Sequence, residues 1–448
     1  MKRLLLSVLI VAVAGMAWLI HETAKIGVGY SSKQLCSGVH VAALPPEFII
    51  ERDILPRLAS VSWLAQWLQT DVGDYGASAT ILTASASSYY HPGYGCTLHG
   101  ADMMVPVVVD VPPVASAVVE NAGLSAILDS AFKEPEGGGR NTLALVVMQR
   151  GEVIAERYAA PVNNATRMQS WSMNKSLMAT FIGLQVARGA MALDDRVVER
   201  LQALAAPADI LANLSPELTI RHLLSMASGL DFDERYVPGD DVSKMLYGGG
   251  PMWQVPARQP QKAEPGAVFD YSSGDTNLVS YLWQQSLAGE DYRAWITREI
   301  SEPLNMSSPI LEPDLSGTQV GASFAYLTAR DWARMGQWWL DAYQGRDKRL
   351  SQDWQRLAVT PGTAAGGDIY GLGFWLNTRE ENFPGLPENV FRAGGNSGQF
   401  VVVIPDEEVV VVRLGLTLDE SKVQLGPVLV ELVAALRTSN AAIAPGGH

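Results

Sequence analysis

Trp171-Ser172-Met173-Asn174-Lys175-Ser176 sets a serine and a lysine three residues apart at the head of an apolar run, Leu177 to Leu184. A serine hydroxyl is a weak nucleophile until something takes its proton. Residues three apart on a helix share a face, so the Lys175 amine is placed to reach the Ser172 hydroxyl. An amine accepts a proton only when neutral, a state that burial favours, and the apolar helix that follows supplies burial. Free backbone N–H groups at a helix start also suit a developing oxyanion. The chemistry implied is acyl transfer through the serine.

A serine–x–x–lysine pattern alone is a weak signal, and Ser130-Ala131-Phe132-Lys133 is a second copy. Ser130 closes a helical pattern just before the breaker Pro135-Glu136-Gly137-Gly138-Gly139, so Lys133 is expected in solvent. Two further stretches accompany Ser172. Phe269-Asp270-Tyr271-Ser272-Ser273 is a polar, turn-rich knot in helical surroundings. A phenol beside a lysine cation can have its pKa lowered enough to work as acid and base. Arg392-Ala393-Gly394-Gly395-Asn396-Ser397-Gly398-Gln399 leads into a strand, where small residues let a backbone approach a substrate and lend an N–H to the oxyanion. Taken singly, Tyr271 reads equally as a packing tyrosine and the glycines as a simple turn.

Other candidates read as structural. His222 lies inside an apolar helix and is expected to be a satisfied structural histidine. Asp231, Asp233, Glu234, Asp240 and Asp241 invite a calcium reading, but a solvated loop is the simpler one. The chain has no G-x-S-x-G elbow and no H-E-x-x-H among its 6 histidines, and neither a metal nor an organic cofactor is expected.

These groups need elements to hold them. Thr142 to Met148 and Val153 to Tyr158 flank a turn and read as a hairpin, as do Gln399 to Ile404 and Val409 to Arg413. Between the hairpins the chain is mainly helical, with Ile220 to Met226 and Thr328 to Tyr343 as examples; Ala122 to Phe132 precedes them and Gln424 to Arg437 follows. The expected fold class is α/β (α+β): an antiparallel sheet built from N- and C-terminal strands flanked by helices, plus a mostly helical lobe. Residues 25 to about 115 read as short apolar strands with Gly/Pro turns.

The 448 residues carry a net charge of −14 and a pI of about 4.9, which a nucleic-acid backbone would repel. Met1-Lys2-Arg3 and the apolar run Leu4 to Ile20 fit a signal peptide or an anchor. A small-residue cleavage pattern stands at Ala12-Val13-Ala14, yet an apolar end would remain after it, which favours an uncleaved anchor with Lys2 and Arg3 in the cytoplasm. The rest of the chain is then periplasmic, or secreted if the leader is cleaved. The chain's 2 cysteines, Cys36 and Cys96, read as one disulfide in that compartment.

Ser172-Met173-Asn174-Lys175, then Tyr271-Ser272-Ser273, then the Gly-rich strand entry resemble the three ordered motifs of the penicillin-recognising, class C β-lactamase-related serine hydrolases. The likeness is strongest to the esterase and 6-aminohexanoate-oligomer hydrolase branch. Leu218 to Leu230 and Thr328 to Arg334 resemble linking phrases of that branch, and the segments around Cys36 and Cys96 resemble its N-terminal extension. The resemblance covers roughly residues 120 to 437 and implies a β-lactamase/transpeptidase-like fold. By it, Ser172 is the acylated nucleophile, Lys175 the general base and Tyr271 the proton relay; Asn396 and Ser172 supply oxyanion N–H groups, with Ser273, Gly395 and Tyr236 lining the substrate site.

Departures from the pattern narrow the chemistry. Ser273 stands where β-lactamases usually carry Asn, as it does in the aminohexanoate-hydrolase branch. Ala393-Gly394-Gly395 replaces Lys-Thr-Gly, and Arg392 is expected to point to the opposite face of its strand. A neutral ester or amide is therefore the expected small-molecule substrate. Alternatives are a D-Ala-D-Ala peptidase or β-lactamase, and a non-catalytic envelope protein binding peptidoglycan or a partner in the same cleft. The expected organisation is 1–24 signal peptide or anchor, 25–115 N-terminal extension, 116–437 hydrolase domain and 438–448 flexible tail, with oligomeric state open.

Overall fold

An apolar run with no polar face gives the chain no reason to bend, and α1 runs unbroken from Lys2 to His40. The computed structural model describes residues 2–106, 112–307 and 309–443. The first part of α1 projects from the body: Leu4, Leu9, Val11 and Trp18 are all more than half exposed, and this stretch is long and apolar enough to cross a membrane. From Ala24 onward the same helix is packed. Ala24 and Val28 meet Leu64, Ile81 and Leu98, while Leu35 and Cys36 enter a second cluster with Tyr247 and Phe324.

The expectation of strands from residue 25 is thus corrected for 25–40, which are helical. Gly27 and Gly29, which look like turn residues, instead let α1 pack closely; a Cβ at Gly29 would collide with the Tyr247 carbonyl oxygen. Helical turns between Pro46 and Ala65 follow. Then β1 (Gln69–Gly73), β2 (Gly76–Ile81), β3 (Ala84–His91) and β4 (Gly95–Leu98) form an antiparallel meander against α1. Cys36 and Cys96 are disulfide-bonded, tying α1 to β4. Lys33 and Glu312 form a fully buried ion pair beside that link, and Ser37 Oγ and Cys96 N–H donate to Glu312 Oε1 at 2.8 and 2.7 Å.

The remaining strands are β5 (Thr142–Gln149), β6 (Glu152–Tyr158), β7 (Met168–Gln169), β8 (Ile310–Leu311), β9 (Ala325–Leu327), β10 (Trp375–Leu376), β11 (Phe391–Gly395), β12 (Gln399–Ile404) and β13 (Val409–Gly415). The main sheet is antiparallel in the order β10-β11-β12-β13-β5-β6. The two expected hairpins meet where Val410 pairs with Met148 and Val412 with Val146. Alternation then decides which face each side chain serves. Val146, Val401 and Val410 pack with Trp332, Trp338 and Trp339 of the helix Ala329–Tyr343. Leu145, Val147, Val402 and Val411 pack with Leu128 and Leu429, from the helices Ser125–Phe132 and Leu425–Ile443. That last helix runs past Arg437 through the start of the expected tail; 444–448 lie outside the described residues. The helical lobe sits between β7 and β10 in sequence, as the α/β reading expects.

Candidate active site

Ser172 lies in a single 3-10 turn, Trp171–Met173, that feeds the helix Asn174–Ala187. Trp171, just before it, holds a left-handed φ of 48°, a conformation a bulky residue adopts only where its surroundings enforce it. Asn174 Nδ2 donates to the Val320 carbonyl at 2.8 Å, and Ser176 Oγ to the Gly373 carbonyl at 2.6 Å. Lys175 is 1% exposed. Its Nζ donates to Ser172 Oγ at 3.1 Å, to Ser273 Oγ at 2.9 Å and to the Ala322 carbonyl at 3.5 Å. Burial pulls the ammonium down to about 8, against the opposing pull of Glu234 and Asp275.

The second cluster is positioned by a helix N-terminus. Ser272 caps the helix Ser273–Gln285, its hydroxyl accepting from Asp275 N–H at 3.0 Å, which fixes Tyr271 and Ser273 on either side of the cap. Lys175 Nζ sits 4.8 Å over the Tyr271 ring centroid, and the ring stacks on Trp375 at 5.2 Å. Burial raises the Tyr271 phenol, while a hydrogen bond with Ser172 pulls the other way. The expected lowering of Tyr271 by Lys175 is therefore corrected. Burial holds the phenol protonated, and the Lys175 ammonium lies over the ring face. Asp275, buried and accepting from Ser228 Oγ at 2.8 Å, is pushed up to about 7 by burial.

Glu234 was not expected here. Its Oε2 accepts from Ser273 N–H at 2.9 Å and its Oε1 from Ser273 Oγ at 2.5 Å; burial raises its pKa while Lys175 opposes. Tyr236 reaches the same hydroxyl, 3.5 Å from Ser273 Oγ. The solvated-loop reading of the acidic cluster is corrected at two positions. Asp240 is buried, and Glu234 turns inward onto Ser273, as Tyr236 does. No group suited to a metal ion occurs among the described residues.

β11 closes the site. A Cβ on Gly395 would strike the Ser170 carbonyl oxygen and lie 3.1 and 3.2 Å from the Ser172 and Met173 nitrogens, so only glycine lets this strand lie against the nucleophile turn. Asn396 follows on the cleft wall. The strand's alternation was read correctly but its facing was inverted. Ala393 belongs to the core, and Arg392 lines the cleft with Gly394, beside Trp375, Phe400 and Glu420. A Cβ at Gly394 would meet Arg392 Nη1, so the missing side chain makes room for the guanidinium. Burial lowers Arg392 to about 10, and Glu420 works against that shift.

A cavity of about 460 Å³ joins Ser172, Glu234, Tyr236, Tyr271, Arg392 and Asn396. The N-terminal region also reaches it, through a residue with no sequence signal. Arg57 stacks on Trp171 at 4.6 Å and donates to Asn396 Oδ1 at 2.7 Å and Ser397 Oγ at 2.5 Å. Asp53 holds Arg57 at 3.1 Å and accepts from Tyr30 of α1 at 2.8 Å. Ser130 lies elsewhere, donating within its own helix to the Ile127 carbonyl. His222 is part of a capping box with Thr219, a structural role.

The sequence model of the Beta-lactamase family matches residues 128–433, more than half of the chain. The 6-aminohexanoate-dimer hydrolase of Paenarthrobacter ureafaciens is 27% identical over 241 residues, 50% of this chain and 58% of that protein. The chain thus spans less than two thirds of that relative's length. Among solved structures, EstCE1, a hydrolase with promiscuous acyltransferase activity, has a TM-score of 0.56 at 16% identity, covering 70% of this chain and 98% of that one. A D-stereospecific amidohydrolase from Streptomyces sp. has 0.51 at 18%, covering 68% and 98%. These structural likenesses establish the fold.

Proposed function

The chain belongs to the Beta-lactamase family and is a hydrolase of that fold, and on this premise we propose that it cleaves an ester or amide through an acyl-enzyme on Ser172. The observation that carries the reading is the buried Lys175 amine, drawn down to about 8 and hydrogen-bonded to both Ser172 and Ser273. When the amine is neutral, its lone pair accepts the Ser172 proton while its own hydrogens remain on Ser273 and the Ala322 carbonyl. Ser172 Oγ then attacks the substrate carbonyl. N–H groups of Ser172 and Asn396 receive the oxyanion. The protonated Tyr271 phenol passes a proton to the leaving alcohol or amine and is recharged from Lys175. Water, activated by the same groups, returns Ser172 and releases the acid. Arg392 and Glu420 give the Tyr271 side of the cleft a cation and an anion, suited to a polar leaving group.

We further assign residues 4–20 as an uncleaved membrane anchor with the folded body outside the cytoplasm. Continuity of α1 into the body and the Cys36–Cys96 bond support this. The test is hydrolysis of p-nitrophenyl acetate by the full chain in detergent, beside Ser172→Ala, with mass spectrometry of the intact protein. Turnover and an acyl adduct, both lost in the variant, are expected. Equal activity of the two proteins would sink the reading, and absence of both turnover and adduct would favour a binding protein.

A further inference from the structure

A second cavity, of about 290 Å³, lies beside the catalytic cleft. One wall is α1, through Thr23, Ile26, Gly27 and Tyr30; the opposite wall includes Leu58 and Val61. Tyr236 and Asn396 line both cavities, so the two meet at the catalytic residues. Thr23 is three residues past Ile20, the end of the exposed apolar stretch, or about 5 Å along a helix axis. Exposed side chains gather at that level. Trp63 and Trp67 are 52% and 56% exposed, while Leu64 between them packs on Ala24. Leu82 is 50% exposed in the turn whose Thr83 meets His21 at 3.2 Å. Tryptophans at the end of a membrane span settle at the lipid–water boundary. The second cavity therefore runs from the level at which α1 would leave a membrane to Arg57, Trp171, Tyr236 and Asn396, at the edge of the cleft that holds Ser172.

We propose that this cavity takes the apolar acyl chain of a membrane-derived amphiphile, so that the substrate is a medium- or long-chain acyl ester or amide presented from the lipid surface. The inference rests on the acyl-enzyme reading. Tyr271 lines the catalytic cleft but not the second cavity, so the leaving group that it protonates lies on the Arg392 side and the acyl group on the α1 side. The acyl carbon bonds to Ser172 Oγ, and the bond to the leaving oxygen or nitrogen breaks. The leaving group takes one proton, and water later releases the fatty acid. From Thr23 to Tyr30 the wall extends about 10 Å. Each methylene leaving water strengthens binding about fourfold.

The test compares p-nitrophenyl octanoate with the acetate, using the full chain in detergent micelles, and repeats both with Ser60→Trp. Ser60 is an exposed residue on the cavity rim, so the indole would fill the cavity from outside. The octanoate is expected to exceed the acetate in kcat/KM by at least tenfold, and the ratio to fall at least tenfold in Ser60→Trp. Ser172-dependent hydrolysis with no octanoate preference, or with a preference untouched by Ser60→Trp, would overturn the inference and leave the acyl-enzyme reading standing. Binding is read separately in Ser172→Ala with a fluorescent octyl-chain amphiphile. Saturable binding weakened at least tenfold by Ser60→Trp supports the cavity's role even if no ester is turned over, and binding indifferent to that change refutes it.

Discussion

Glu234→Gln tests the electrostatic part of the mechanism: the amide oxygen keeps one acceptor for Ser273, the other oxygen becomes an NH2, and the charge is removed. On the proposed mechanism, Lys175 must be neutral in the wild type to accept the Ser172 proton. Its pKa of about 8 then makes kcat/KM rise with pH, with about a tenth of the enzyme competent at pH 7. Glu234 opposes that neutral state. The carboxylate reaches Lys175 through Ser273, by contacts of 2.5 and 2.9 Å, a separation of about 5 Å and about 3 kcal/mol at an effective dielectric of 20. That corresponds to about two pKa units, and since Glu234 is only partly buried, solvent screening leaves about one. Removing the charge should move the acid limb of the profile from about 8 to about 7, raising the competent fraction at pH 7 to about half. The assay is the pH dependence of kcat/KM for a p-nitrophenyl ester from pH 5 to 10, with wild type and variant in parallel. Asp275 remains charged in part over this range and is common to both proteins, so it cancels in the comparison. A limb that stays put, or moves to higher pH, would refute Lys175 as the titrating base.

Two further outcomes follow from packing. Gly395→Ala puts a methyl group against the Ser170 carbonyl and the N–H groups of Ser172 and Met173. It should cost about 100-fold or more in kcat, the scale of losing an oxyanion donor, with binding of a substrate analogue by calorimetry changing far less. Lys33→Met leaves Glu312 buried without its partner, which should lower stability by about 3 to 5 kcal/mol; adding Glu312→Gln should recover much of that loss in thermal unfolding.

Much of the fold was legible because the signals were local. The valines of β12 and β13 and the near-continuous apolar run of β5 specify strands buried on both faces, and turn residues mark each hairpin. The continuation of α1 was not legible. Gly27, Gly29 and Gly38 are turn residues on propensity alone, and only the packing of the helix against Ile81 of β2, Tyr247 and Ile49 makes them close-approach positions. Tertiary contact overrode local preference there.

The site divides along the same line. Ser172 and Lys175 are readable because one helix fixes their spacing, and Tyr271 with Ser273 because a single cap places both. Glu234 left a faint trace: it stands two residues before Tyr236, on a loop already expected at the cleft. Arg392 was readable in phase but not in facing, since alternation says which residues go together and not which side meets the substrate. Arg57 left none. It reaches Asn396 and Ser397 only because Asp53 and Tyr30 hold it, and Tyr30 belongs to the helix that emerges from the apolar span. The strand that supplies the proposed oxyanion N–H is thus braced by the N-terminal region, which the matched family segment, 128–433, does not include. A site assembled from the family segment alone would lack the wall that Thr23, Ile26 and Leu58 provide. What distinguishes this chain from others of its family is therefore to be sought where α1 meets the cleft.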